Sequence, residues 1–265
     1  DEVYRRTGIQ FLPFNTLSGW TWQGKVNWKL SPGMSLKAGT LGSLDDWQEY
    51  RHAYRETGAH TPRYQDQNAS YFATFTDKLN PDTYFNISGN YFMTERESGD
   101  GTLFNDLNRY ARFATRYAGP DSVTTVDVGN RRWDDYALFW LADQDSTPGR
   151  VWDDYQHRKS SYIGVTGDLT HKWSDHNAAK LGIDLQRHTL RFYDALFPAT
   201  YYLGLAGGGY DDIVNYGYDR TGTTEINAKE GRFEDGAKQP LSASAYLQNK
   251  YEYSDFVVNA GLRYD

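Results

Sequence analysis

The sequence predicts an all-β fold, an antiparallel transmembrane β-barrel segment of about eight strands in four hairpins, with short turns at one end and long loops at the other. Three observations carry this. Strand-length stretches alternate apolar with polar residues, and the connections between them alternate short with long. Aromatic residues reach 16% of the 265 residues while mean hydropathy is only -0.78. A sheet with one face in lipid and the other wet produces that combination, because only every second side chain meets the apolar side.

The first hairpin, about 18–43, is the cleanest. Trp20, Trp22, Gly24, Val26, Trp28 and Leu30 alternate with Thr21, Gln23, Lys25, Asn27 and Lys29. Ser31, Pro32 and Gly33 make a turn, and Met34, Leu36 and Ala38 resume the apolar face. In the second hairpin, about 68–94, Ala69, Tyr71, Ala73 and Phe75 lead through an Asn80-Pro81 turn to Phe85, Ile87, Gly89, Tyr91 and Met93. Phe72 and Phe92 interrupt its polar face. The third, about 156–190, sets Ile163, Val165, Leu169 and Trp173 on the apolar face, then Ala179, Leu181, Ile183 and Leu185 after a turn near His176. The fourth, about 241–265, sets Ala243, Ala245, Leu247, Tyr251 and Tyr253 against a return of Phe256, Val258, Ala260, Leu262 and Tyr264.

A soluble sandwich also alternates, so the connections decide. Those between hairpins run about 44–67, 95–155 and 191–240, longer than the roughly 15 structureless residues that compact domains tolerate. Short periplasmic turns below and long extracellular loops above are the outer-membrane pattern. Trp28, Phe75, Phe85, Trp173, Tyr253 and Phe256 fall near the turns, and Trp20, Trp22, Tyr71, Tyr91 and Tyr264 fall a membrane's height away, as two interface girdles. About eight residues at roughly 3.3 Å, tilted near 40°, span on the order of 20 Å. With these turns at the periplasmic side, both ends of the sequence are expected at the outer surface, as in an internal piece of a larger barrel. An eight-stranded barrel with a side-chain-filled interior is the geometric alternative.

Other classes are excluded or disfavoured. No apolar run approaches the 18 or so residues of a membrane helix. There is no Cys, so disulfides and thiolate metal sites are ruled out. The net charge of -7 and the scattered Lys and Arg argue against nucleic acid as a partner. The opening residues, Asp1 to Arg6, lack the apolar core of a signal peptide, so an export signal is expected upstream.

Three hairpins resemble those of a known family. Ala245-Tyr246-Leu247-Gln248-Asn249-Lys250-Tyr251-Glu252, followed by Asn259-Ala260-Gly261-Leu262-Arg263-Tyr264-Asp265, resembles a recurring mid-barrel hairpin of TonB-dependent outer-membrane receptors. Tyr162 to Thr170, with Lys180-Leu181-Gly182 after it, and Phe72 to Tyr91, are similar to other hairpins of that family. The resemblance implies uptake of a scarce nutrient (a metal chelate, glycan or peptide), with outer-membrane lipid, a plug domain and the TonB complex as partners. The family's plug and coupling box are absent from this sequence. A passive porin, a barrel hydrolase and an adhesin remain alternatives.

No nucleophile elbow, phosphate loop or HExxH pattern occurs, so no enzyme activity, cofactor or metal site is expected. Gly204 to Gly209 reads as a loop, and His171, His176 and His188 face different directions. Ligand capture is expected in the second long loop, where Trp133, Tyr136, Trp140 and Trp152 offer stacking surfaces. Asp134, Asp135, Asp143 and Asp145 offer oxygen ligands there, either for calcium or as ordinary solvated acids. Helical spacing of Trp47, Tyr50 and Tyr54 predicts a short helix over Asp45 to Thr57, and a second is predicted over Phe104 to Ala114, both capping the mouth. Lys25, Lys29, Lys37, Asp168, Lys172, Asp184, Lys250 and Arg263 fall on the polar face, to solvate the interior or contact a plug or solute.

Overall fold

The alternating stretches pair in chain order. The computed structural model describes residues 12–107, 109–110, 152, 154–196, 198, 213–229 and 235–265. Its strands are β1 (Thr16–Lys29), β2 (Met34–Gln48), β3 (Pro62–Asn80), β4 (Thr83–Asp100), β5 (Asp154–Ser174), β6 (Asn177–Leu196), β7 (Ile213–Tyr216), β8 (Leu241–Tyr253) and β9 (Phe256–Tyr264). All pairings are antiparallel, in one nine-stranded sheet of order β1-β2-β3-β4-β5-β6-β8-β9, with β7 on the far end of β6. Among the described residues β1 and β9 do not pair, so the sheet is open.

Register puts the apolar positions of every strand on one face. One row across the sheet reads Val26, Ala38, Ala73, Gly89, Val165, Leu185 and Ala243, and the next reads Trp28, Leu36, Phe75, Ile87, Gly167, Ile183 and Ala245. These side chains have no protein above them: Trp20 is 78% exposed and Leu262 82%. An apolar surface of this extent cannot stand in water, so it is the lipid-facing side of a transmembrane β-barrel wall. Trp22 lies flat across Gly42, where a Cβ would come within 2.2 Å of the indole. Its N–H donates to Thr40 Oγ1 at 3.3 Å, which keeps the one polar atom of that ring satisfied beside lipid.

The opposite face carries a polar ladder. Thr74 and Ser88 share a hydrogen bond, Thr76 donates to Asn86, Asn86 to Asp168, and Thr166 to Asp184. Phe72, Phe92, Tyr162 and His188 lie on this face too, with Lys37 over the Phe72 ring and Tyr162 between Phe92 and His188.

The strands run well past the hairpin limits read from sequence. β2 continues to Gln48, β3 begins at Pro62, β4 reaches Asp100 and β6 reaches Leu196, so the connection taken as 44–67 shrinks to 49–61. Strand pairing also replaces the first turn, Asp45 to Gln48, of the helix predicted over Asp45 to Thr57, and a 3₁₀ helix, His52–His60, follows. Cross-strand contacts explain the difference. Asp46 accepts a bidentate bond from Arg63, and Trp47 stacks on Tyr64 with centroids 4.0 Å apart, so the polar extension of β2 has specific partners on β3.

Candidate functional site

Beyond the apolar belt, at the long-loop end, both faces of the sheet are polar. On the continuation of the lipid face, β4, β5 and β6 present Glu95, Glu97, Tyr155, His157, Lys159, Arg191, Tyr193 and Ala195. The chain covers them with its own loops. Leu103, Leu107, Tyr110, Tyr155, Tyr193, Ala195 and Tyr218 form a buried cluster, with Tyr110, Tyr193 and Tyr218 fully buried. Each phenol is satisfied as it is buried: Tyr110 donates to Phe104 O at 2.9 Å, Tyr155 to Glu97 at 2.6 Å and Tyr193 to Arg220 O at 3.0 Å. In the second predicted helix Leu107 and Tyr110 thus pack on the outward face of the wall and do not cap the mouth.

Asp100, at the end of β4, gathers the loop base. Fully buried, it accepts from the backbone N–H groups of Thr102 and Leu103 at 2.8 Å and of Trp152 at 3.1 Å, and its carboxylate meets His60 Nδ1 at 2.8 Å. Three chain segments, at His60, Asp100–Leu103 and Trp152, converge on one carboxylate. Trp152 also carries the Arg51 guanidinium over its ring at 4.4 Å, and Tyr54 lies 6.3 Å away. That places Trp152 in the loop base.

A second layer holds residues 217–226 against β5. His157 Nε2 lies 2.7 Å from Glu95 and its Nδ1 3.0 Å from Gly222 O, while its ring stacks on Tyr218 at 4.4 Å. Lys159 bridges Glu95 and Glu225, and Arg191 reaches Glu225 and Asn227. Burial works against charge on His157, but its bonds to Glu95 and Gly222 outweigh that and raise its pKa. The bond from His157 holds Glu95 below the usual carboxylate value against its own burial.

The polar face at the same end carries a second network. Trp47 N–H donates to Asp66 at 3.0 Å, and Arg96 clamps Asp66 with bonds of 2.5 and 2.9 Å. Burial would raise the Asp66 pKa, but these bonds lower it overall. Asn68 joins Ser43 and Thr94 one row nearer the belt. Across β5 and β6, burial and the adjacent Asp194 charge push the Asp154 carboxyl up to about 6.

Of the residues expected to capture ligand, Trp133, Asp134, Asp135, Tyr136, Trp140, Asp143 and Asp145 lie outside the described residues, and Trp152 is in the loop base. Among the girdle candidates, Trp28, Tyr71, Tyr91, Trp173, Tyr253, Phe256 and Tyr264 are exposed on the lipid face, and Phe75 packs against Phe85 at 5.9 Å. His171 meets Thr83, His176 meets Glu252 O and His188 packs on Tyr162, so the three stay apart. Among the described residues no group of three His, Cys, Asp or Glu is placed to hold a metal. Sequence reading missed the outward tyrosine cluster and the Trp47–Tyr64 pair.

No family model and no curated protein matches this sequence. Solved structures similar to it include the copper transporter OprC, with a TM-score of 0.49 at 11% identity over 94% of this chain and 28% of that one. The RagAB peptide transporter aligns with a TM-score of 0.41 at 11% identity, over 92% of this chain and 27% of its own. The translocator domain of the autotransporter NalP from Neisseria meningitidis aligns with a TM-score of 0.33 at 11% identity, over 92% and 58%. The chain therefore spans 28%, 27% and 58% of these three proteins.

Proposed function

We propose that this sheet is part of the wall of a transport barrel in the outer membrane of a diderm bacterium, with the short turns periplasmic and the long loops outside. The carrying observation is the continuous exposed apolar belt backed by a hydrogen-bonded polar face, which suits lipid on one side and a wet interior on the other. Open edges on β1 and β9 support a larger barrel, since unpaired backbone groups in hydrocarbon cost several kcal/mol each, by the usual order of magnitude. We further propose energy-coupled import of a scarce nutrient, as in TonB-dependent receptors, with a plug domain and the TonB complex as partners and no catalytic role. The hairpin motifs through Gln248, Lys250, Arg263 and Tyr264 support that finer reading.

Uptake by cells carrying the full-length protein, compared before and after a protonophore and in a strain without TonB, tests both levels. Uptake that stops in both cases supports the coupled receptor. Uptake that continues unchanged indicates a passive barrel, and recovery of the protein in the soluble fraction overturns the membrane reading itself.

A further inference from the structure

The polar face at the long-loop end holds an aromatic platform, the Trp47–Tyr64 stack that also joins β2 to β3. Trp47 is stacked on Tyr64, interplanar angle 16°, and its N–H is tied to Asp66. The indole is thus fixed on one face and one edge before any ligand arrives, so little side-chain entropy remains to be lost on binding. Its surroundings form a cavity of about 470 Å³ whose lining includes Asn15, Leu17, Asp45, Trp47 and Asp66 but not Tyr64. The volume falls in the range of small-molecule sites, about 300–1,000 Å³.

The polar groups around it are unevenly committed. Asp66 is neutralised by Arg96. Asp45 makes no hydrogen bond or ion pair among the described residues, and its carboxylate lies across Gly19, where a Cβ would come within 2.2 Å of it. Only glycine at that position lets the Asp45 side chain lie flat over β1. Asn15 accepts from the Tyr50 N–H through Oδ1, which leaves its amide N–H groups free as donors. Among the described residues no basic side chain lines the cavity.

An anion is disfavoured by Asp45 and by the lack of a basic partner. A flat apolar ring would leave Asp45 and Asn15 unpaired. A neutral sugar ring meets all of it: axial C–H groups on the indole, a hydroxyl donating to Asp45 and another accepting from Asn15. We propose that Trp47, Asp45 and Asn15 form a binding site for a neutral saccharide on the polar face of the wall. The inference rests on the polar face being the accessible interior, and it gives the nutrient a chemical class.

Calorimetric titration of the full-length protein in detergent with maltohexaose, cellohexaose, xylohexaose and mannohexaose, and with choline as a cationic probe, tests it. At least one hexasaccharide binds, Trp47→Ala weakens it at least about tenfold, and Trp47→Phe retains it within a few-fold, as loss and retention of a stacking surface require. Asp45→Asn keeps an acceptor and costs the sugar only a few-fold. Absence of binding by all four sugars, or sugar binding indifferent to Trp47→Ala, overturns the proposal, as does choline binding that Asp45→Asn abolishes. Unchanged mobility of unheated samples on gels reports that each variant keeps its barrel. Sugar binding in a protein whose uptake ignores TonB leaves this site standing and removes only the energy-coupled reading.

Discussion

His157 on β5 joins Glu95 on β4 to the carbonyl of Gly222, 2.7 Å on one side and 3.0 Å on the other, so its imidazole bridges the sheet and the 217–226 loop beside the Lys159 and Arg191 contacts to Glu225. Both nitrogens donate only when the ring is protonated. Since the folded-state pKa of His157 is raised, its contribution is complete below the unfolded value of about 6.5 and is lost as pH rises through the folded value. Glu95 is shifted down, so its contribution holds above the unfolded value and is lost as pH falls through the lowered one. The loop is therefore held best between those limits. Hydrogen exchange at residues 217–226, corrected for intrinsic rates, should accelerate above neutral pH, and His157→Gln should remove that pH dependence. Exchange that stays pH-independent in the parent protein would show that His157 does not hold the loop.

The tyrosine cluster predicts a local rather than global failure. Tyr193 is fully buried and packs against Tyr155 at 5.9 Å. Removing a buried aromatic side chain costs about 3–5 kcal/mol. Because the cluster lies beyond the belt, Tyr193→Ala should expose residues 213–229 to proteolysis while the membrane-embedded strands stay protected. Loss of the whole barrel would contradict this placement.

The sequence shows the belt strands plainly and hides their extensions, for one physical reason. From Trp20 to Leu30 the two faces differ in polarity, so a period of two is visible. From Thr94 to Asp100, and from Asp45 to Gln48, both faces carry polar residues, and polarity no longer separates them. What holds these stretches in strands is pairing, Asp46 with Arg63 and Asp66 with Arg96, which only register reveals. A weaker signal was present: Glu95, Arg96 and Glu97 alternate in charge, which suits a strand with two polar faces. Trp47, Tyr50 and Tyr54 misled because three rings at helical spacing also fit a strand followed by a 3₁₀ turn. The Trp47 site followed that error, since its cavity exists only once Trp47 and Asp45 share a strand face.

Asp154 offers a second titration, in which stability is again lost as pH rises. Its carboxyl is pushed up to about 6 by burial and by Asp194, so the folded state binds a proton that the unfolded state releases near its ordinary value. Stability contributed here is therefore present at low pH and lost as pH rises toward 6. Asp154→Asn removes the penalty and should stabilise the β5–β6 tip at neutral pH by about 1 kcal/mol after allowance for screening. The gain should vanish near pH 4, where the parent residue is itself neutral. A gain equal at both pH values would point to packing instead of charge.

The two faces of β6 make the most direct test of the fold. Ile183 is 49% exposed on the apolar face, in a row with Gly167 and Ala245, whereas Gln186 belongs to the polar face opposite Gly164 and Ser242. An arginine at the midplane of the lipid side costs about 2–4 kcal/mol, and one facing a wet interior costs far less. Ile183→Arg should reduce the folded fraction in lipid vesicles and raise the midpoint for refolding, while Gln186→Arg should fold like the parent. Both substitutions fall on one strand three residues apart, and they present the same charge to opposite faces. If both variants fold equally in vesicles, the apolar face does not meet lipid. If Gln186→Arg is the one that fails, the sheet is inside out relative to this assignment, and the aromatic platform at Trp47 would look outward.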